Sequence, residues 1–213
     1  MLGHSGAIFL DRDGVINQNR VDHVKSWDEF EFIPGVLESI AELTAIGLPI
    51  FIVTNQAAIN RGMMSVDTLD SIHERMLAAI NEVGGQVKKI FYCPHDSHEE
   101  CSCRKPMPGM LQQAANEFGI DLTQSVIVGD AWTDIGAGVE VGTQGILVLT
   151  GRGRWNFVPC WNRFGLDFGA AYDLADATTV IKRVLNGEAV HATNRLRDAF
   201  HMALRNPEDA LVL

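Results

Sequence analysis

Ile8-Phe9-Leu10-Asp11-Arg12-Asp13-Gly14-Val15-Ile16-Asn17 is the stretch that decides how the chain is read. The apolar run over 7–10 has the length and composition of a buried strand, and it ends directly on two carboxylates. Gly14 permits the sharp turn that such an exit requires. Three further runs end in the same way. Residues 50–53 lead into Thr54-Asn55-Gln56, residues 90–92 into Cys93 and His95, and residues 126–128 into Gly129 and Asp130. A fifth run, 146–149, completes the strand-like set. Helical patterns fill the gaps. Pro34 and Gly47 bracket Leu37, Ile40 and Leu43. Ser65 is placed to cap a helix in which Val66, Leu69, Ile72, Met76 and Ile80 keep helical spacing until Gly84 and Gly85 stop it, and Pro108 and Gly119 bracket a third with Leu111, Ala115 and Phe118 inward. This alternation predicts an α/β fold with a doubly wound parallel sheet. The Gly-, Arg- and aromatic-rich stretch over 151–169 reads as a long loop, and helical patterns resume over 173–185 and 193–204. The expected division is a single domain over 1–190, with an accessory helix or tail over 191–213.

With 46% hydrophobic and 21% charged residues among 213, the composition is that of a globular protein. A net charge of −10 argues against a broad surface for nucleic acid or anionic membrane. It leaves room for a small anionic substrate, because a metal and a few cations reverse the sign locally. No apolar run approaches the roughly 20 residues of a membrane helix, and Met1 to Gly6 lacks the basic and apolar regions of a signal peptide. The expected compartment is therefore the cytoplasm and the expected partner a small phosphorylated molecule, with neither nucleic acid nor membrane. The sequence sets no oligomeric state. In a reducing compartment four cysteines point to metal rather than to a disulfide framework.

In doubly wound sheets ligands bind beyond the carboxyl ends of the strands, where this chain collects its polar groups. Asp11 and Asp13 can divide the work of nucleophile and acid–base catalyst: one attacks phosphorus, the other protonates the departing oxygen and then activates water. Thr54 offers a hydroxyl to phosphate oxygens, Arg104-Lys105-Pro106 brings two cations, and Asp130 with Asp134, four residues apart, can hold a hard cation such as Mg²⁺. Each feature also has a plain structural reading: an Asx turn, a helix cap, a solvated basic pair, an acidic helix start. Phosphoryl transfer accounts for all of them in this order. Separately, Cys93, His95, Cys101 and Cys103 have the number and compact spacing to saturate a tetrahedral zinc. His98 competes as a ligand by position, and Cys160 is left over as a buried thiol. His73 and the four tryptophans read as packing or surface residues.

These residues resemble the haloacid dehalogenase superfamily, whose signatures span almost everything from Asp11 to Asp134. The zinc loop running into Cys103-Arg104-Lys105-Pro106 is similar to a narrower group containing heptose-bisphosphate and histidinol-phosphate phosphatases. Val53-Thr54-Asn55-Gln56, Asn60-Arg61-Gly62 and Lys105-Pro106-Met107-Pro108-Gly109-Met110 look closer to the heptose enzymes, and the short His95–Cys101 spacing to the others. The resemblance implies a Rossmann-like core with a minimal cap, Asp11 as nucleophile and Asp13 as general acid and base. It implies Mg²⁺ on the side chains of Asp11 and Asp130 and the backbone carbonyl of Asp13, with Asp134 a further candidate, and a structural Zn²⁺. Thr54 and Lys105 would steady the phosphoryl group and Arg104 the rest of the substrate, with Arg12, Asn19, Arg20, Asn55 and Gln56 as further candidate contacts. Ala131 stands where the heptose enzymes often carry lysine. The expected activity is a Mg²⁺-dependent phosphatase acting on a sugar bisphosphate. Histidinol phosphate is the rival substrate, and a catalytically silent phosphate-binding or scaffold protein the rival class. The nucleophile–acid pair speaks against the silent protein, and the net charge against repair of nucleic-acid ends.

Overall fold

The computed structural model describes residues 6–165 and 167–188. Six strands, β1 (Ile8–Leu10), β2 (Ile50–Asn55), β3 (Lys89–Cys93), β4 (Val126–Gly129), β5 (Gln144–Val148) and β6 (Gly169–Ala171), form one sheet in the order β3-β2-β1-β4-β5-β6. All pairings are parallel, and Ile8 stands opposite Ile50 on one side and Val126 on the other. Among the described residues six α-helices complete the layers: α1 (Val36–Thr44), α2 (Val66–Glu82), α3 (Gly109–Phe118), α4 (Trp132–Val139), α5 (Gly153–Phe164) and α6 (Leu174–Leu185).

The two-residue period of a strand sorts the core. Ile8, Leu10, Ile50, Ile52, Val126, Val128, Ile146 and Val148 pack against α1, α2 and α6 through Ile40, Leu43, Ile72, Met76 and Ile181. Their neighbours Phe9, Phe51, Val53 and Ile127 face α3 and α4 on the other side. Because β1 lies between β2 and β4, the chain turns one way after β1 and the other way after β3. The crevice of the sheet therefore opens at the carboxyl ends of β1 and β4, the switch point where α/β sheets bind ligands. No domain is inserted before α1: the connection from β1 carries one 3₁₀ turn, Trp27–Glu29. Trp27 stacks on Phe30 at 4.9 Å and lies under Arg75 at 4.7 Å, which fixes this segment to α2.

Several expectations change. The stretch over 151–169 is not a loop, since α5 occupies most of it. Phe157 and Cys160 of that helix bury against Ile135, Leu147 and Phe168, and this packing outweighs the backbone bond lost at Pro159. The sixth strand, Gly169-Ala170-Ala171, has no β-branched residue to announce it. Ser65 caps α2 by accepting from the Thr68 N–H at 3.1 Å, yet Val66 points outward, 43% exposed. In α3 the buried alanine is Ala114 rather than Ala115. The helical pattern over 193–204 lies outside the described residues.

Ile181→Ala, which opens a cavity under β4–β6, is expected to cost about 2–5 kcal/mol. Val66→Ala is expected to stay within about 0.5 kcal/mol. Urea midpoints at constant m-value measure both.

Candidate active site

Four strand ends meet at a cleft of about 880 Å³. Its floor is built around Lys105, 3% exposed, whose Nζ lies 2.9 Å from Asp11 Oδ1, contacts Asp134 Oδ1 at 2.5 Å and donates to the Val53 carbonyl at 2.7 Å. Burial alone would discharge this ammonium, but Asp11 and Asp134 hold it above the ordinary lysine range. Asn55 fixes the backbone that carries it, accepting from Lys105 N and donating to Lys105 O, both at 3.1 Å. Asn55 lines the cleft, but its amide is committed to Lys105.

Asp11 leaves β1 with its N–H still in the ladder, on Val128 O at 2.9 Å. Burial pushes its carboxyl up to about 7; Lys105 opposes this, while Asp134, Asp130 and Asp13 add to it. Asp130, at the end of β4, is fully buried and raised to about 6, by burial first, with Arg152 opposing. Its Oδ2 accepts from the Arg152 N–H at 2.8 Å with the guanidinium 3.5 Å away, whereas its Oδ1 has no hydrogen-bond partner among the described residues. One carboxylate oxygen from each of Asp11, Asp130 and Asp134 falls within 4.8 Å of the others. Asp134 uses its second oxygen to accept from the Ala131 N–H at 3.0 Å, so both its oxygens are engaged.

Asp13 also lines the cleft. Burial would raise it, but Arg12, Asn17 and Gln56 hold it below the usual carboxylate range. Arg12 Nη2 donates to both of its oxygens at 2.8 and 2.9 Å, Asn17 Nδ2 to one and Gln56 Nε2 to the other, each at 2.9 Å. Arg12 and Gln56, expected among the substrate contacts, do not line the cleft. Their side chains lie beneath it, Gln56 bridging Asp13 to the Thr54 hydroxyl at 2.8 Å. Thr54, Asn19, Arg20 and Arg104 do line it, with Arg20 held by Asp22 and Arg104 Nη1 donating to His95 O at 2.9 Å.

Beside the cleft, Cys93, His95, Cys101 and Cys103 converge on one point. The edges recorded between their ligand atoms run from 3.1 to 3.7 Å. Four ligands about 2.3 Å from a tetrahedral zinc lie roughly 3.8 Å apart, so these edges are close to closed coordination. His98 is not among them. The loop they enclose is tied to the turn after β2 by Arg61–Asp96 at 2.7 Å and by Asn60 on Glu99 at 2.8 and 2.9 Å.

A family model described as HAD-hydrolase-like matches residues 102–156. A D-glycero-β-D-manno-heptose-1,7-bisphosphate 7-phosphatase of Bordetella bronchiseptica is 43% identical over 147 residues, 69% of this chain and 82% of its own. One from Pseudomonas putida is 43% identical over the same length, covering 84% of its own. Among solved structures, the B. bronchiseptica D,D-heptose 1,7-bisphosphate phosphatase complexed with magnesium and phosphate superposes with a TM-score of 0.78 at 37% identity, over 85% of this chain and 99% of that one. The chain belongs to the haloacid dehalogenase-like hydrolases. A HAD-like phosphatase structure from Mesorhizobium loti agrees, with a TM-score of 0.71 at 28% identity over 90% of each chain.

The part of this haloacid dehalogenase-like site that sequence reasoning missed is a strap after β5. Thr150 Oγ1 donates to Gly14 O at 2.6 Å, and Arg152 reaches Asp130 through its N–H and its guanidinium. Gly151 sits between them at φ +53°, where a Cβ would lie 2.3 Å from Asp130 Oδ2 and 2.5 Å from Gly14 Cα. The available signal was positional: Thr150-Gly151-Arg152-Gly153 follows a strand, as the other site motifs do. His73, read as packing, lies behind Arg12 at 3.3 Å. Gly151→Ala is expected to keep the fold by circular dichroism and to lower kcat/KM by about 100-fold, since displacements of about 1 Å in reacting groups cost that much.

Proposed function

We propose that this chain is a Mg²⁺-dependent phosphomonoesterase that acts through an aspartyl phosphate on Asp11 and removes the 7-phosphate of D-glycero-D-manno-heptose 1,7-bisphosphate. The observation that carries the proposal is the placement of Asp11: a buried carboxylate at the switch point of the sheet, facing a cleft and backed by an ammonium. There Asp11 can attack phosphorus, with Lys105 and the Thr54 hydroxyl steadying the phosphoryl oxygens. Asp13 is the acid for the departing ester oxygen and the base for the water that follows.

The carboxylate set fits a hard divalent cation. Asp130 Oδ1 is buried and unpartnered among the described residues, and both carboxyls are raised, by burial first and with Asp134 adding to each, in a way that a positive charge would relieve. Asp11, Asp130 and the backbone carbonyl of Asp13 would hold Mg²⁺. When bound it neutralises charge on the nucleophile and the phosphoryl oxygens. Asp134, with one oxygen on Lys105 and the other on Ala131 N–H, supports the site rather than ligating. The cluster of Cys93, His95, Cys101 and Cys103 fits Zn²⁺ in a structural role: it is closed, and Arg104 and Lys105 follow its last ligand directly. A cysteine cluster placed for metal rather than for disulfides suits a reducing, cytoplasmic setting, and no helix among the described residues is long and apolar enough to cross a membrane.

The names of the relatives support the heptose substrate, as do Arg20, Arg104 and Arg152 around the cleft mouth, which suit a second phosphate. Across a panel of sugar bisphosphates, sugar monophosphates, histidinol phosphate and nucleotides, the heptose bisphosphate is expected to give the highest kcat/KM. A higher value for histidinol phosphate would move the assignment to that substrate.

Asp11→Asn is expected to lower kcat by about 10⁴-fold or more with the fold retained, because an amide forms no acyl phosphate. Residual turnover near wild type would exclude the covalent route.

Protein purified without added metal is expected to carry one zinc per chain by elemental analysis. Cys101→Ser is expected to lose it, melt earlier and drop kcat/KM by about 10-fold or more through displaced cations.

A further inference from the structure

Behind Asp13 runs a polar chain that lies outside the cleft lining. The Arg12 side chain is fully buried and absent from the cleft lining, although its neighbours in sequence both line it. Its Nη2 sits between the two oxygens of Asp13, and its Nη1 lies 3.3 Å from Nε2 of His73 on α2. His73 is buried, and burial together with the adjacent guanidinium lowers it to about 3. It is therefore neutral, and a neutral ring facing a guanidinium must present its lone pair. This fixes the tautomer, with the proton on Nδ1 and Nε2 accepting from Arg12. The guanidinium is thus held at both ends, by a carboxylate and by an imidazole anchored in a helix. A buried guanidinium needs acceptors wherever its N–H groups point, and His73 is the side chain that supplies one at the end away from Asp13.

We propose that His73 and Arg12 form a buried positioning chain that fixes the Asp13 carboxylate for activating water against phosphorylated Asp11. The proposal rests on the reading of Asp13 as acid and base. In the first half-reaction an Asp11 oxygen bonds to phosphorus, the ester P–O bond breaks and the leaving oxygen takes its proton from Asp13, which is left as the carboxylate. In the second, water bonds to phosphorus and gives a proton to Asp13, the bond from phosphorus to Asp11 breaks, and inorganic phosphate leaves. Every donor on Asp13 in this structure favours its carboxylate form, the form the second half-reaction consumes. Asn17 and Gln56 each grip one oxygen, whereas Arg12 spans both, so the plane of the carboxylate follows the guanidinium and the guanidinium follows His73.

The test uses full-length protein with Mg²⁺ and 4-nitrophenyl phosphate, whose phenol leaves without a proton. Formation of the phosphorylated enzyme is read by kcat/KM, its hydrolysis by kcat, and the intermediate itself by rapid quench and intact mass. Asp13→Asn, the reference, is expected to accumulate phosphorylated enzyme. Arg12→Met is expected to lower kcat about 100-fold and His73→Leu about 10-fold. In both, kcat/KM should stay within about 3-fold and the phosphorylated form should build up after a burst of nitrophenolate. His73→Gln, whose amide oxygen accepts the same hydrogen bond, is expected to return kcat to within about 3-fold of wild type. Should Arg12→Met fail to fold, the His73 pair decides. Folded His73 variants with no accumulation, or with kcat and kcat/KM falling together, overturn the positioning chain. Absence of accumulation in Asp13→Asn itself overturns the reading of Asp13, and the chain with it.

Discussion

An ammonium cut off from water keeps its charge only beside anions, and the cleft is arranged around that requirement at Lys105. Asp11 from β1 and Asp134 from α4 supply the charge, and the Val53 carbonyl and the two bonds to Asn55 come from β2. One side chain thereby ties three separate segments to a fourth, the loop between β3 and α3. Taking either acid away would leave a buried cation under-compensated, at a cost of about 3–5 kcal/mol. The same contacts that stabilise this end of the sheet hold the nucleophile in place, so stability and reactivity here share one set of atoms.

The Cys/His cluster extends this logic outward. Its loop has little to bury, and its rigidity comes from converging side chains and from the polar links of Asp96 to Arg61 and Glu99 to Asn60. Those links join it to the turn after β2, and Arg104 closes back on His95. The rim of the cleft is therefore one cross-linked unit rather than a set of independent loops.

What the sequence made legible was everything that depends on strand ends. Apolar runs of strand length, each followed at once by polar residues, are enough to place Asp11, Thr54 and Asp130 around one crevice once the sheet is parallel and doubly wound, with Lys105 brought there by the loop after β3. Side-chain direction just past a strand was not legible, because it depends on the turn that follows. Arg12 and Gln56 read as ligand contacts, yet the turn at Gly14 and the hydrogen bond from Gln56 N to Cys93 O carry them under the floor. Helix α5 was not legible because weak helix formers, Gly153, Pro159 and the aromatic and Asn residues, dominate its composition, and the burial of Phe157 and Cys160 supports it instead. Val66 has helical spacing but sits in the first turn, beyond the reach of the sheet. The role of His73 lay in a partner 61 residues away, which no local pattern reports.

The close approach of Gly14, Gly151 and Asp130 has a consequence for how such a chain can drift. A Cβ at Gly14 would lie 2.1 Å from Asp130 Oδ2 and one at Gly151 2.3 Å from the same oxygen, and both glycines have positive φ. A larger residue at either place demands that Asp130 move or shrink, and Asp130 has no smaller residue with a carboxylate to become. The three positions, 137 residues apart at their extremes, are locked together in sequence space by a single oxygen atom. Divergence at this face of the sheet has to proceed through its neighbours, with these three left unaltered.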